Sequence, residues 1–365
     1  MATCDKKLTL EEKEIDILRN AIDIAEKRKG RQTVSDPDVK KIISILETFL
    51  KKKRLVCYGG TAINNILPLD DQFYDKDIEI PDYDFYSPNA LDDAKELADI
   101  YYDEGFQEVE AKAGVHHGTY KVYVNFIPVA DITYLEKPLF KRVQSESIRV
   151  YGILYCPPNF LRMNMYLELS RPAGDISRWE KVLKRLILLN KNYPLRGKHC
   201  DPNLFQRQFE SIDSKKEEQL YYTVRDSFID QGLVFFGGYA SFLYSEYMPA
   251  KQKKLFQKTP DFDVLADEPE QAATMLKERL EDFDYKGIQL VKHAGIGELI
   301  APHYEVRVKI NNIEETVAFI YKPLACHSYN VIKKGNKTVR VATIDTMLSF
   351  YFAFFYSDRD YYDEN

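Results

Sequence analysis

The sequence predicts an α+β fold: a helical N-terminal segment, then two tandem units, each a mixed β-sheet flanked by helices. Three observations predict it. The first 54 residues carry capping signals and helical spacing without strand-like runs. From residue 55 onward, short β-favouring runs alternate with amphipathic stretches. A pattern begun at Leu55 returns near Leu233, so one unit is written twice.

Thr9 followed by Glu12 is a capping box, and Ile15, Leu18, Ile22 and Ala25 recur at helical spacing, which predicts a helix over 9–29. Ser35-Asp36-Pro37 starts a second helix through Val39, Ile42, Ile43, Leu46 and Leu50, and the cationic run Lys51-Lys52-Lys53-Arg54 complements its dipole. Leu55-Val56-Cys57-Tyr58 reads as a short strand, Gly59-Gly60 as a tight turn, and Thr61 to Leu67 as a helix stopped by Pro68. Tyr83 to Tyr86 is the next strand, and Asn89 opens a helix through Leu91, Ala94, Leu97 and Ala98. Glu108 to Leu135, rich in Val, Tyr and Ile with breaks at Gly114 and Gly118, predicts two or three antiparallel strands. Helices follow over 158–169, 175–191 and 213–231, and another over 344–356.

The repeat is specific in its wording. Leu55-Val56-Cys57-Tyr58-Gly59-Gly60 is echoed by Leu233-Val234-Phe235-Phe236-Gly237-Gly238, and Pro81-Asp82-Tyr83-Asp84-Phe85 by Pro260-Asp261-Phe262-Asp263-Val264. Tyr120 to Val124 has its counterpart in Tyr304 to Val308. The division is 1–54 for the helical segment, 55–200 for the first unit and 201–365 for the second with its helical connector. The second copy stops soon after the helix at 344–356, earlier than the trailing helices of the first copy suggest, as a shortened chain would.

At 365 residues, 45% hydrophobic and 30% charged, the chain excludes collagen-like, coiled-coil and wholly disordered classes. No apolar run approaches the roughly 20 residues needed to span a bilayer, and the opening residues lack a signal sequence, so the expectation is a soluble, intracellular protein. Cys4, Cys57, Cys156, Cys200 and Cys326 are odd in number and contain no CxxC, which suits free thiols and disfavours a zinc site. His116 and His117 lack companions for a tetrahedral set and read as a loop or strand end. The net charge of −6 requires that any nucleic-acid partner be held by local basic surface.

Six Asp-x-Asp triplets occur, so the triplet alone is weak evidence. Asp82 and Asp84 differ in placement: on or beside a strand, alternation turns both side chains to one face, where two carboxylates require a shared cation or a proton. Hard, oxygen-seeking Mg²⁺ is the natural partner, with Mn²⁺ as the alternative. The strand, Gly59-Gly60 and the following helix bring amides towards a bound anion, and Thr61 adds a hydroxyl. Asp131, within the apolar run Phe126 to Ile132, lies either at a strand end in water or facing a cation, and the second reading makes three acids converge on two metals.

These residues resemble the nucleotidyltransferase signature of the DNA polymerase β superfamily. The tandem arrangement is most similar to the viral poly(A) polymerase catalytic subunits of poxviruses and giant DNA viruses, in the mimivirus and megavirus branch. The signature covers about 55 to 135, and the two-copy organisation extends the likeness over most of the chain. The resemblance implies that Gly59 and Gly60 hold the nucleotide phosphates, that Asp82 and Asp84 bind both Mg²⁺ ions, and that Asp131 binds the ion activating the primer 3′-hydroxyl. It implies transfer of AMP from ATP to an RNA 3′ end, in the cytoplasm of an infected cell, in a virus factory or in the virion. Poxvirus relatives work with a separate processivity subunit; a homodimer that grips the tail with two subunits is the expectation here, with no membrane partner.

The second copy departs from the pattern. Aligning Val129-Ala130-Asp131-Ile132 with Val317-Ala318-Phe319-Ile320 puts Phe319 where the third carboxylate belongs, and Tyr239 replaces Thr61, a ring where phosphate would approach. The copy is therefore expected to be a catalytically inactive scaffold. Arg178, Lys181, Lys184, Arg185 and Lys191, with Arg196 and Lys198 beyond, read as a solvated face or as a contact for triphosphate or RNA backbone, Lys184 being the nucleotide-binding candidate. Lys215, Lys216, the run from Lys251 to Lys258, and Lys333, Lys334 and Lys337 are further basic candidates. Most of the 26 Tyr and 21 Phe belong to core or half-buried sheet, and no one ring is picked out as an adenine platform.

Overall fold

Thr9 caps the first helix as its sequence dictates: its hydroxyl accepts from Glu12 N at 3.2 Å, and the Glu12 carboxylate accepts from Thr9 N at 2.7 Å. In the computed structural model, which describes residues 9–195, 214–253 and 262–357, that helix is α1 (Leu10–Ser35). It is longer than predicted and buries none of its residues. Asp36 ends it and caps α2 (Pro37–Lys53), accepting from Asp38 N at 2.8 Å. α2 buries Val39, Ile42, Leu46, Phe49 and Leu50, the i, i+3, i+4 stripe of its sequence, and full burial of Ile42 or Leu46 stabilises by about 2 kcal/mol each. Arg54, left-handed at φ 55°, turns the chain out of the helix.

The first sheet contains β1 (Val56–Tyr58), β2 (Tyr83–Ser87), β3 (Val109–Ala113), β4 (Thr119–Val124), β5 (Ile127–Tyr134), β6 (Ile148–Val150) and β7 (Ile153–Tyr155), in the order β3-β4-β5-β2-β1-β7-β6. β2 and β5 are parallel, as are β1 and β7; the other neighbours are antiparallel, so the sheet is mixed. α3 (Gly59–Ile66), α4 (Ala90–Asp103) and α5 (Lys137–Glu146) connect the strands. The second sheet contains β8 (Val234–Phe236), β9 (Phe262–Leu265), β10 (Gln289–His293), β11 (His303–Ile310), β12 (Ile313–Tyr321), β13 (Tyr329–Lys334) and β14 (Lys337–Ala342). Its order, β10-β11-β12-β9-β8-β14-β13, repeats the first strand for strand. The repeat read from the sequence is thus a repeat of topology, and the predicted α+β class with its helical N-terminus is borne out.

Contacts divide the chain at Pro157/Pro158. The helices α6 (Pro158–Leu169) and α7 (Trp179–Asn192), which the sequence assigns to the first unit by continuity, fall with the second. Packing decides this: Tyr166 stacks on Phe352 at 5.9 Å and Phe160 meets Tyr356 edge-on at 5.1 Å, Phe352 lying on α12 (Ile344–Phe354) and Tyr356 just beyond it. The remaining helices of the second unit are α8 (Ser214–Asp230), α9 (Gly237–Tyr244), α10 (Ala250–Lys253) and α11 (Pro269–Asp282). No described helix is long and apolar enough to cross a membrane. Cys57, Cys156 and Cys326 are free thiols, and His116 and His117 are exposed in the turn between β3 and β4.

Candidate active site

β-sheet register builds the site of the first unit. Asp84 on β2 is the register partner of Asp131 on the parallel strand β5. On its other side it is paired with Tyr58 of β1, and Asp131 is paired with Lys121 of β4. Residues directly opposite in neighbouring strands share a face, so Lys121, Asp131, Asp84 and Tyr58 form one row across four strands. Asp82, two residues before Asp84 and exposed, belongs to the same face by alternation. Tyr86, two residues after, stacks on Tyr58 with ring centroids 4.1 Å apart.

Gly59 is a requirement of Asp84. It takes φ +72°, and a Cβ built there would overlap Asp84 Oδ2. A side-chainless residue at the strand-to-helix turn lets the carboxylate lie against the backbone where α3 begins. The first amides of that helix have no intrahelical acceptor. Thr61, expected at the phosphates, points inward instead: it is 3% exposed and its hydroxyl donates to the Asp82 carbonyl oxygen at 2.5 Å. It ties α3 to the backbone beneath the carboxylates, a positioning contact rather than a surface donor.

The row is electrostatically coupled. Lys121 Nζ makes a short ion pair with Asp131 Oδ2. Burial works to lower the Lys121 pKa, but the hydrogen bond and charge of Asp131, with Tyr123 and Asp82 behind it, prevail and raise it. Burial, then the charges of Asp84 and Asp131, push the Tyr58 phenol up against the lowering effect of its 2.8 Å bond to Thr133, so it stays protonated. Among the described residues no three His, Cys, Asp or Glu side chains are gathered into a ligand set. Asp84 and Asp131 lie on adjacent strands, Asp82 immediately precedes β2, and the cation drawn to Asp131 is an ammonium. Neither Lys121 nor Tyr58 is singled out by the sequence; the polar alternation of Lys121 and Tyr123 along β4 is the signal that places Lys121 on this face.

In donor chemistry, all-oxygen carboxylates on one face beside a glycine turn suit a hard divalent ion, which would have to displace Lys121 from Asp131 and draw the three acids together.

The second unit keeps the cradle and changes the row. Gly237, also at φ +72°, has no room for a Cβ beside Asp263. Asp263 pairs in register with Phe236 and Phe319, and Phe319 with Glu305, so Tyr58, Asp131 and Lys121 are replaced by two rings and a carboxylate. Glu305, 4% exposed, accepts from Arg307 Nε at 2.8 Å and Nη2 at 2.9 Å, from Thr316 Oγ1 at 2.5 Å, and bonds His293 Nε2 at 2.7 Å. Burial alone would raise its pKa; these bonds outweigh it and hold the group at about 2. Tyr239, expected to block phosphate, is buried against Phe235 at 4.8 Å, because this helix position faces the core in both copies. Asp261 lies outside the described residues.

Several basic candidates are engaged locally. Lys184 lies on α7 of the second unit and pairs with Glu180 at 2.6 Å, Arg178 with Glu168 at 3.3 Å, and Lys337 with Asp226 at 3.0 Å. Arg196, Lys198, Lys254 and Lys258 fall outside the described residues.

Comparison with known proteins finds similarity over a segment that begins in α2 and ends just beyond α6. Residues 44–175 match the family model described as poly(A) polymerase catalytic subunit. The resemblance read from the sequence is borne out over that segment. A protein of African swine fever virus named for the poly(A) polymerase catalytic subunit is 32% identical over 178 residues, 47% of this chain and 36% of its own length. A protein of Acanthamoeba polyphaga mimivirus with the same name is 33% identical over 160 residues, 42% of this chain and 26% of its own. The chain thus matches about a third or less of the length of these relatives. The Megavirus polyadenylate synthase crystal structure shares the fold, with a TM-score of 0.77 at 21% identity over 98% of this chain and 71% of that one.

Proposed function

We propose that this chain carries the nucleotidyl-transferring part of a template-independent poly(A) polymerase. AMP passes from ATP to an RNA 3′ end: a bond forms from the 3′-oxygen to the α-phosphorus, the α–β anhydride breaks, and pyrophosphate and the hydroxyl proton leave. The observation that carries this reading is the register pairing of Asp84 with Asp131, with Asp82 on the same face, beside the Gly59 turn.

Asp82, Asp84 and Asp131 would hold Mg²⁺, or Mn²⁺ in its place. When bound, such ions supply the positive charge that favours an alkoxide and offsets a triphosphate. The chain's own part is to orient. Gly59 and Gly60 leave backbone room for the phosphates, Thr61 fixes the strand entry carrying Asp82, and Lys121 holds Asp131 until a stronger cation displaces it. RNA and ATP are the partners in this reading, a homodimer the working assembly with or without a processivity subunit, and the host cytoplasm, virus factory or virion the location. The second unit, its acidic row closed by Phe319 and the Glu305 network, serves as scaffold.

The test is extension of a short RNA with each NTP in turn and Mg²⁺. ATP-specific extension that falls at least about a thousandfold in Asp131→Ala is expected. Extension with another nucleotide would name a different transferase of the superfamily, and none with any divalent ion would leave a binding scaffold. Loss in Asp261→Ala with activity kept in Asp131→Ala would assign the copies the other way.

A further inference from the structure

The face of the first sheet opposite the carboxylate row holds a cavity of about 490 Å³, within the range that encloses small ligands. Alternation puts it there: Tyr83 adjoins Asp84, and Tyr155 is the register partner of Cys57, which adjoins Tyr58. Tyr74, Tyr83, Tyr151 and Tyr155 supply aromatic walls, Tyr151 standing 89% exposed at the mouth. Tyr83 OH donates to Glu47 Oε1 at 2.9 Å and Asn65 Nδ2 donates to Tyr155 OH at 3.1 Å. Glu47 Oε2 also accepts from Lys51 Nζ at 3.4 Å, and the carboxylate and the Asn65 carbonyl keep further lone pairs for a donor on a ligand.

Positive charge lines the cavity as well. Lys40 and Lys76 line the cavity, and neither ammonium has an ion-pair partner among the described residues. Lys40, Ser44 and Glu47 fall on one stripe of α2, so Lys40 and Glu47 are about 10 Å apart along the axis. Glu79 also lines the cavity and Glu47 is met by Lys51 at 3.4 Å, so the lining carries both signs of charge, and an anionic ligand that also bears hydrogen-bond donors fits it. A flat ring bearing an amino group at one end and a phosphate at the other spans that distance.

We propose that this cavity is a second nucleotide site, binding a nucleoside monophosphate unit with its base among the tyrosines, its exocyclic amine on Glu47 and Asn65, and its phosphate at Lys40 and Lys76. The ligand is a free nucleotide or one residue of an RNA; both present the same chemistry. The inference rests on the cavity and stands apart from the polymerase reading.

Equilibrium dialysis of the whole chain with labelled AMP in EDTA tests it. The expected result is one AMP per chain, bound roughly tenfold or more weakly by the Lys40→Glu/Lys76→Glu variant and by Ser44→Trp, and bound unchanged by Asp131→Ala. Ser44 is exposed on α2, so the tryptophan obstructs the mouth without entering the core. The charge-reversed pair provides a second, independent variant. Competition by a short oligoadenylate marks the unit as part of RNA, and its absence as free nucleotide; either supports the site. No AMP binding by the wild type, or binding lost in Asp131→Ala and kept in both cavity variants, overturns it. RNA extension in Mg²⁺ reads the other face, so the two readings fail separately.

Discussion

At position 59 a single hydrogen atom separates a working geometry from a clash. Alanine there must adopt a left-handed φ of +72° and place its methyl group on the Asp84 carboxylate. Gly59→Ala should therefore cost about 2 kcal/mol or more in urea unfolding and displace Asp84 from its row. Extension activity should fall with it; a variant as stable and as active as the wild type would show that the turn has slack. The glycine and its aspartate were both legible in the sequence, because Gly59-Gly60 and Asp82/Asp84 are local words. Thr61 was not: its neighbourhood suggested a phosphate contact, whereas a hydroxyl at the third position of a helix lying on a sheet points to the core, where the Asp82 carbonyl was waiting. Lys121 was invisible for a different reason, since its pairing with Asp131 is a matter of cross-strand register.

At the scale of elements, β10, β11 and β12 of the second unit replace the Lys121–Asp131 pair with a ring, Phe319, and a carboxylate, Glu305, held by three partners. Glu305, Arg307, Thr316 and His293 satisfy one another, so the network rigidifies the sheet and offers nothing to an incoming cation. Glu305 is held at about 2, below the ordinary carboxylate value of 4.5, so the sign follows. Its contribution, up to about 3 kcal/mol, is complete above pH 4.5 and is lost as the pH falls from there through 2. Glu305→Ala should cost about 3 kcal/mol near neutrality, because Arg307 is left without its buried partner, and should flatten the acid limb of a stability profile between pH 4.5 and 2. An unchanged acid limb would place the acid sensitivity elsewhere. The longer elements were readable from spacing and caps, but α5 and the three-residue strands β6 and β7 were not, because so few residues carry no measurable period. β13 and β14 escaped notice for want of an echo: their lysine-rich hairpin shares no wording with β6 and β7, although it takes the same place in the sheet order.

For the whole molecule the open question is what covers α1. Helical spacing predicted an amphipathic helix, and the fold leaves it with no buried residue: Ile17 is 69% exposed, Leu18 61% and Ile24 67%. Such a stripe costs free energy in water and is ordinarily met by a partner. The charges favour a second copy. Glu11, Glu12, Glu14 and Asp16 outnumber Lys13 and Arg19 in the first half, whereas Lys27, Arg28, Lys29 and Arg31 outnumber Asp23 and Glu26 in the second. Two such helices laid antiparallel about a twofold axis set acidic half against basic half at both ends, the self-complementarity a homodimer needs. A dimeric mass by light scattering is expected, and Ile17→Glu/Ile24→Glu should yield a monomer of unchanged far-UV circular dichroism, because neither side chain supports its own chain's core. Salt should weaken the pairing, since the complementary charges lie on an exposed helix. A wild-type chain that remains monomeric at tens of micromolar would remove the dimer, and α1 would then be left to another partner.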